Sequence, residues 1–297
     1  MSENPVVFDR ALLRARRLRA RLLGPEAFLL DRVAADLVER LTTVLRKFDV
    51  AVDLGTPTDA VRGLLGGAVS IGTLIAANPA PSGDNALLVA ADEEALPFRD
   101  ASLDLIVSAL ALHLVNDLPG ALIQIRRALK PDGLFLAAML GGETLTELRQ
   151  AFAAAETEVE GGISPRVAPF TDVREMGALL QRAGFALPVT DVDRLTVRYS
   201  SPFILMGELR RMGATNALTE RRRTPLRRDT LKRMAEIYAQ RFADRDGKIR
   251  ATFEVIWLSG WAPHESQQKP LRPGSAQARL ADALGTLEIK TGDKPDS

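Results

Sequence analysis

Cysteine is absent from this 297-residue chain, and histidine nearly so, with His113 and His264 the only two. The first absence excludes disulfides, thiolate nucleophiles, and zinc or iron–sulfur sites built on cysteine. The second leaves little material for an imidazole metal site, and no metal is expected. An excess of charge is missing too. The 39 basic residues face 38 acidic ones, a net of +1, so no global field favours nucleic acid. Aromatics make up 5% of the chain. None interleaves the arginines between Arg210 and Arg228, where RNA bases would need stacking partners. No apolar run approaches the ~18 residues that a membrane span needs.

What remains is ordinary globular material, 46% hydrophobic and 26% charged. The length suits one large α/β domain with an insertion, or two small domains. Six arginines stand between Arg10 and Arg21. They read as a basic amphipathic helix packed on the domain, with a transit peptide and peripheral membrane contact as alternatives. Apolar spacing predicts helix from Phe8 to Leu45. Strands are predicted at Val50–Leu54, Val69–Ala76, Leu87–Ala90, Leu103–Ser108 and Leu134–Leu140. Helices are predicted at Pro57–Leu65, with Thr56 as its cap, and at Pro119–Leu129, with Asn116 and Asp117 as its cap. Lys130–Gly133 reads as a turn, and Asn78–Asn85 as a loop. Further helices follow at Thr144–Glu158 and Asp172–Ala183, the second stopped by Gly184. Val189–Val197 and Thr252–Leu258 read as strands, with arginine-rich helices between them. Strands alternating with helices at this spacing imply an α/β, doubly wound, mostly parallel sheet.

One stretch carries chemistry. Val50–Asp59 reads V-A-V-D-L-G-T-P-T-D. A strand ends in an acid, Asp53, and Gly55 allows a close backbone approach to a ligand. In open α/β sheets, ligands sit at the carboxyl ends of the strands. Asp92 follows the third strand, where a carboxylate accepts from an amine such as that of adenine; the alternative is a solvated turn at Asp92–Glu94. His113 follows the fourth strand, as a base, a substrate contact or a packed ring. Trp257 reads as core. Trp261 and His264 are candidates to close over the site. Gly141-Gly142 would shape the pocket wall. The arginines from Arg210 to Arg228 suit an acidic partner or a solvated helix face.

The order V-D-L-G, A-D-E-E-A-L-P-F (Ala91–Phe98), S-L-D-L-I-V-S (Ser102–Ser108) and L-K-P-D-G-L-F (Leu129–Phe135) resembles class I S-adenosylmethionine-dependent methyltransferases. The resemblance implies a seven-stranded Rossmann-like sheet, S-adenosylmethionine as cofactor, and Asp53, Gly55, Thr56, Asn78, Asp92, Glu93 and Ser108 as its contacts. Two departures weaken that ligand. Thr56–Asp59 replaces the rest of a D-x-G-x-G-x-G loop, and Asn78 stands where the family holds the ribose with an acid. Losing one charged hydrogen bond, roughly 1.5–3 kcal/mol, lowers affinity ~10- to 100-fold.

Other pieces narrow the likeness: F-D-R at Phe8, A-L-H-L-V-N-D-L-P at Ala111, G-G-E-T-L-T-E-L-R at Gly141, A-E-T-E-V-E-G-G-I-S-P at Ala155, A-P-F at Ala168, R-M-G-A-T-N at Arg211 and W-A-P-H-E-S-Q at Trp261. Together they resemble the methyltransferase-like assembly factors of respiratory complex I. That resemblance implies action on an arginine of a complex I matrix-arm subunit, described as hydroxylation, with His113 as catalytic candidate and His113, Trp261 and His264 facing substrate. It implies a bacterial cytoplasmic or mitochondrial matrix location and a protein client rather than nucleic acid. The alternatives are a cofactor-less assembly chaperone and a carrier-protein carboxyl methyltransferase of biotin synthesis. The expected organisation is a helical segment 1–48, a Rossmann-like core 49–198, a helical insertion 199–250, a last strand 251–262 and a polar tail 263–297.

Overall fold

A computed structural model describes residues 6–79, 87–268 and 285–286. The predicted loop at 78–85 lies outside the described residues beyond Pro79, as does most of the tail. Two compact units are distinguished, Met1–Pro263 and His264–Ser297.

The first unit begins with helices α1 (Arg10–Leu22) and α2 (Phe28–Thr42). Then come β1 (Phe48–Leu54), α3 (Ala60–Ala68), β2 (Ile71–Asn78), β3 (Leu87–Ala90) and β4 (Leu103–Ala109). A single 3₁₀ turn at Leu112–Leu114 leads to α4 (Leu118–Ala128) and β5 (Leu129–Leu140). The chain continues through α5 (Thr146–Glu160), α6 (Val173–Arg182), β6 (Ala186–Tyr199), α7 (Pro202–Arg211), α8 (Arg228–Phe242) and β7 (Ile249–Trp261). The seven strands form one sheet ordered β3-β2-β1-β4-β5-β7-β6. The first five are parallel, and β7 runs antiparallel between β5 and β6.

Alternation along the central strands makes two cores. Val52, Leu54, Ile106, Phe135 and Ala137 face α4 and α6. Ala51, Leu105, Val107, Leu134 and Leu136 face α2 and α3. Strands buried on both sides read as continuous apolar runs, as β4 and β5 do. A third core under α5 joins Phe152, Leu205, Met234, Tyr238 and Phe253. So α7 and α8 pack onto α5 and the start of β7.

Three local expectations need correction. Thr56 does not cap α3, which begins at Ala60. Its hydroxyl donates to the buried Asp53 carboxylate and is therefore not aimed at a helix N–H. Asn116 does not cap α4 either. Asp117 does, accepting from the Gly120 N–H at 3.0 Å, while Asn116 accepts from the Phe8 N–H at 2.7 Å and donates to its carbonyl. Lys130–Gly133 is not a turn ahead of β5 but a bulge within it. The partners jump from Leu103↔Leu129 to Leu105↔Leu134, with Asp132 at φ 62. Hydrogen bonds to Ala262 carry the ladder across the bulge.

Candidate functional site

The β1 end behaves as its glycine demands. Gly55 takes a positive φ of 74°, and its N–H donates to the Ala77 carbonyl at 2.7 Å. A Cβ here would lie 2.7 Å from Glu93 Oε1 and 2.9 Å from Ala111 Cβ. Conformation and space thus both require glycine. The space, however, is filled by the chain's own Glu93.

Asp92 and Glu93 meet α1. Arg10 Nη2 binds Asp92 Oδ1 at 2.8 Å and also Glu93 Oε2. Arg14 approaches Asp92 at 3.5 Å, and Arg17 approaches Glu93 Oε1 at 3.6 Å. Three cations therefore share two anions, with the Glu93 side chain fully buried. Satisfaction is incomplete: Arg10 Nε, Arg17 Nη2 and Glu93 Oε1 are buried with no hydrogen-bond partner. Burial pulls the Arg17 guanidinium below its ordinary pKa, and Glu93 partly restores it. The solvated turn at Asp92–Glu94 is thus excluded. Between Arg14, Arg17, Arg21, Gly55, Thr56 and Asn78 only a crevice of about 40 Å³ remains.

Asp53 faces inward. Arg62 Nη1 binds it at 2.8 Å, and Thr56 donates to its other oxygen while accepting from the Ala109 N–H at 3.1 Å. Desolvation raises its pKa to about 6 against the pull of Thr56 and Arg62. This relay ties the loop after β1 to the end of β4. Ser108, expected at the cofactor, is fully enclosed, and its hydroxyl donates to the Leu54 carbonyl at 2.8 Å. It joins two strands and offers no ligand surface. Asn78 is buried, and its carbonyl accepts from the Ala91 N–H at 3.1 Å.

His113 lies on the 3₁₀ turn, edge-on to Phe170 with centroids 5.5 Å apart. Its Nδ1 faces the Leu140 N–H at 3.5 Å. Burial, aided by the positive Arg17, pushes its pKa down to about 3. The ring is neutral near pH 7 and a poor proton acceptor there.

Trp261 cannot close over this site. Because β7 is antiparallel, its last residue pairs with Leu134, toward the opposite end of β5 from Leu140. Arg46 covers the Trp261 ring at 5.1 Å. His264 begins the second unit, where its Nδ1 meets Ser266 Oγ at 2.7 Å. Trp257 is core, as expected, with Arg40 over its ring at 4.4 Å.

Two larger spaces flank the turn after β5. On one side, Thr144 and Leu145 line a cavity of about 370 Å³ that also includes His113 and Arg17. On the other, Gly142 and Glu143 line an open cleft of about 540 Å³ with Asp172, Arg194 and Glu254. Glu254 is buried, and the exposed Arg194 binds it at 2.8 Å.

Known proteins share this plan. Residues 68–137 match the methyltransferase domain family. The mitochondrial arginine-hydroxylase NDUFAF5 of Danio rerio is 39% identical over 294 residues, covering 95% of this chain and 91% of that protein. The chain belongs to the NDUFAF5 family. A malonyl-[acyl-carrier protein] O-methyltransferase of Xylella fastidiosa is 40% identical, but over only 59% of this chain and 57% of its own length. A solved structure from Bacillus halodurans, assigned as a methyltransferase, superposes with a TM-score of 0.54 at 15% identity, covering 77% of this chain and all of that one. It supports the Rossmann-like methyltransferase fold.

This NDUFAF5-family chain keeps the fold of S-adenosylmethionine enzymes, but its described residues do not fit that cofactor while α1 is seated. Asp92 and Glu93, which the sequence pattern assigns to the cofactor, are paired with arginine, and the crevice of about 40 Å³ is far below the roughly 300 Å³ of the smallest ligand pockets. The residues missed in the sequence are Arg10, Arg14, Arg17 and Arg62. The signal is present: six arginines in α1, and three adjacent acids, Asp92, Glu93 and Glu94, without a basic neighbour in sequence.

Proposed function

We propose that this protein acts on an arginine side chain of a respiratory complex I subunit during assembly of that complex. The observation that carries this reading is the near full-length match to arginine-hydroxylase NDUFAF5, which spans 91% of the Danio rerio protein. The malonyl-carrier-protein methyltransferase match spans 57% of its counterpart and supports a shared core only. A target guanidinium finds complementary charge in the open cleft beside Gly142, where Glu143, Asp172 and Glu254 outnumber Arg194. Arg194 on the buried Glu254 carboxylate shows the type of contact that such a guanidinium would make.

The test is peptide mass spectrometry of complex I subunits from cells with and without this protein. A one-oxygen increment on one arginine that disappears with the protein supports hydroxylation. A one-methylene increment would assign methyl transfer instead, with S-adenosylmethionine as donor after α1 has moved. Unchanged subunits that still co-purify with the protein would favour the second reading, a cofactor-less assembly partner. That reading draws on the arginines seated against Asp92 and Glu93. A soluble location, bacterial cytoplasm or mitochondrial matrix, belongs to the proposal. No helix among the described residues is long and apolar enough to cross a membrane.

A further inference from the structure

The cavity of about 370 Å³ beside His113 has the opposite chemistry to the cleft. Its volume is that of a small-molecule site. Its body is apolar, built from residues such as Leu13, Leu29, Leu110, Leu140 and Phe253. Its charged lining is five arginines and one carboxylate, Glu26. Glu26 is taken by Arg211, and Arg166 is held by Glu156. Arg17 has a weaker anchor. Its one acidic neighbour, Glu93 at 3.6 Å, is shared with Arg10, and its Nη2 is buried with no hydrogen-bond partner. Thr215 Oγ1, also on the lining, is buried and unpartnered as well. His113 uses Nδ1 as an acceptor, so its neutral ring carries the proton on Nε2, a donor. The unused polar capacity of this lining is therefore rich in donors and positive, and its one carboxylate, Glu26, is already engaged by Arg211.

We propose that this cavity binds a monocarboxylate with a short apolar chain, its carboxylate on Arg17 and its chain among the leucines. A guanidinium edge matches the two coplanar oxygens of a carboxylate, and Glu93 close by disfavours a doubly charged phosphate. The carboxylate can belong to a free acid or to an acidic side chain of a client polypeptide. The inference goes beyond the arginine-target reading and stands apart from it, since complex I subunits can prove unmodified while this site still binds.

The experiment is calorimetric titration of the full chain with hexanoate, hexylamine and hexanol, and with a capped glutamate peptide. Hexanoate is expected to bind and hexylamine not to. Arg17→Gln should weaken hexanoate by about 10- to 100-fold, the value of one charged hydrogen bond. Should Arg17→Gln fail to fold, Thr215→Val and the His113 ring signal in wild-type NMR spectra serve instead. Weaker binding in the variant and a His113 shift with hexanoate but not hexanol support the site. Tighter binding of the peptide than of hexanoate assigns the carboxylate to a client. Equal binding of the three six-carbon probes would reduce the cavity to an apolar hole and overturn the proposal, as would no binding of either carboxylate.

Discussion

The crevice beneath α1 and the cavity beside it share Arg17 and Arg21 as walls, yet they differ in almost everything else. The crevice carries the residues that a cofactor-binding sequence pattern marks: Gly55, Thr56, Asn78. It is small, and Asp92 and Glu93 are spent on the chain's own arginines. The cavity is lined instead by the pieces that narrow the family likeness, His113, Thr144 and Arg211–Asn216 among them, and is nine times larger in volume, about 370 against 40 Å³. The general cofactor pattern thus borders the smaller space, while the narrower family pieces, with buried donors such as Arg17 Nη2 and Thr215 Oγ1, border the larger one.

The sharpest way to break this contrast is to treat the crevice as a structural ion network and remove its centre. Arg10→Ala leaves Glu93 buried with only Arg17 near it. Deleting one partner of a buried pair costs about 3–5 kcal/mol, and urea unfolding should register a loss of that order. Adding Glu93→Gln to it should recover most of the loss. If Arg10→Ala unfolds like wild type, the pairing is not structural and the crevice is free to open. Gly55→Ala comes next. Strain at φ 74° and the Cβ contact with Glu93 together should cost about 2–3 kcal/mol, readable in the same assay.

Asp53 gives a pH effect of intermediate size. Its pKa is raised to about 6 in the fold and lies near 3.9 when unfolded. Between those values the folded state holds the extra proton, so stability falls as pH rises from about 4 to about 6. The loss is on the order of 3 kcal/mol, and Asp53→Asn should flatten that slope in thermal melts. On the cavity side the expected change is none. The His113 ring, held neutral, should show no titration between about pH 5 and 8 in NMR, and a titrating signal would mean that the cavity is wet and Arg17 distant. Trp261→Phe, toward the opposite end of β5 from Leu140, should leave hexanoate affinity unaltered in calorimetry.

Much of the fold was legible because β1, β4 and β5 are apolar on both faces and separated by helical spacing. Gly184 ended α6 with φ 84°, as a glycine after a helix should. The bulge in β5 was read as a turn because Lys-Pro-Asp-Gly has turn chemistry. Only pairing with β4 and the hydrogen bonds to Ala262 keep those residues in the strand. The site was legible only where one segment supplies it. Glu93 and Gly55 sit together, with the Glu93 side chain filling the space beside the glycine. Arg10 and Arg17 reach them across some eighty residues of sequence, and local spacing cannot encode such a pairing. Trp261 failed for a topological reason: nothing in its own neighbourhood says that β7 runs antiparallel.

That reversal of β7 also governs how the protein is made. Among the described residues, β6 pairs with no strand but β7, and β7 is the last of the described strands to be synthesised. Throughout synthesis of residues 200–248, the finished β6 has no neighbour, and the open side of β5 presents unmet backbone groups. Such edges recruit other chains. A nascent chain stalled before Ile249 would therefore hold a five-stranded sheet whose β5 margin, covered by β7 in the finished fold, is left open beside the β3 edge. Holding that margin apart from other polypeptides, by a chaperone or by rapid elongation, is the main demand that this topology makes on the cell.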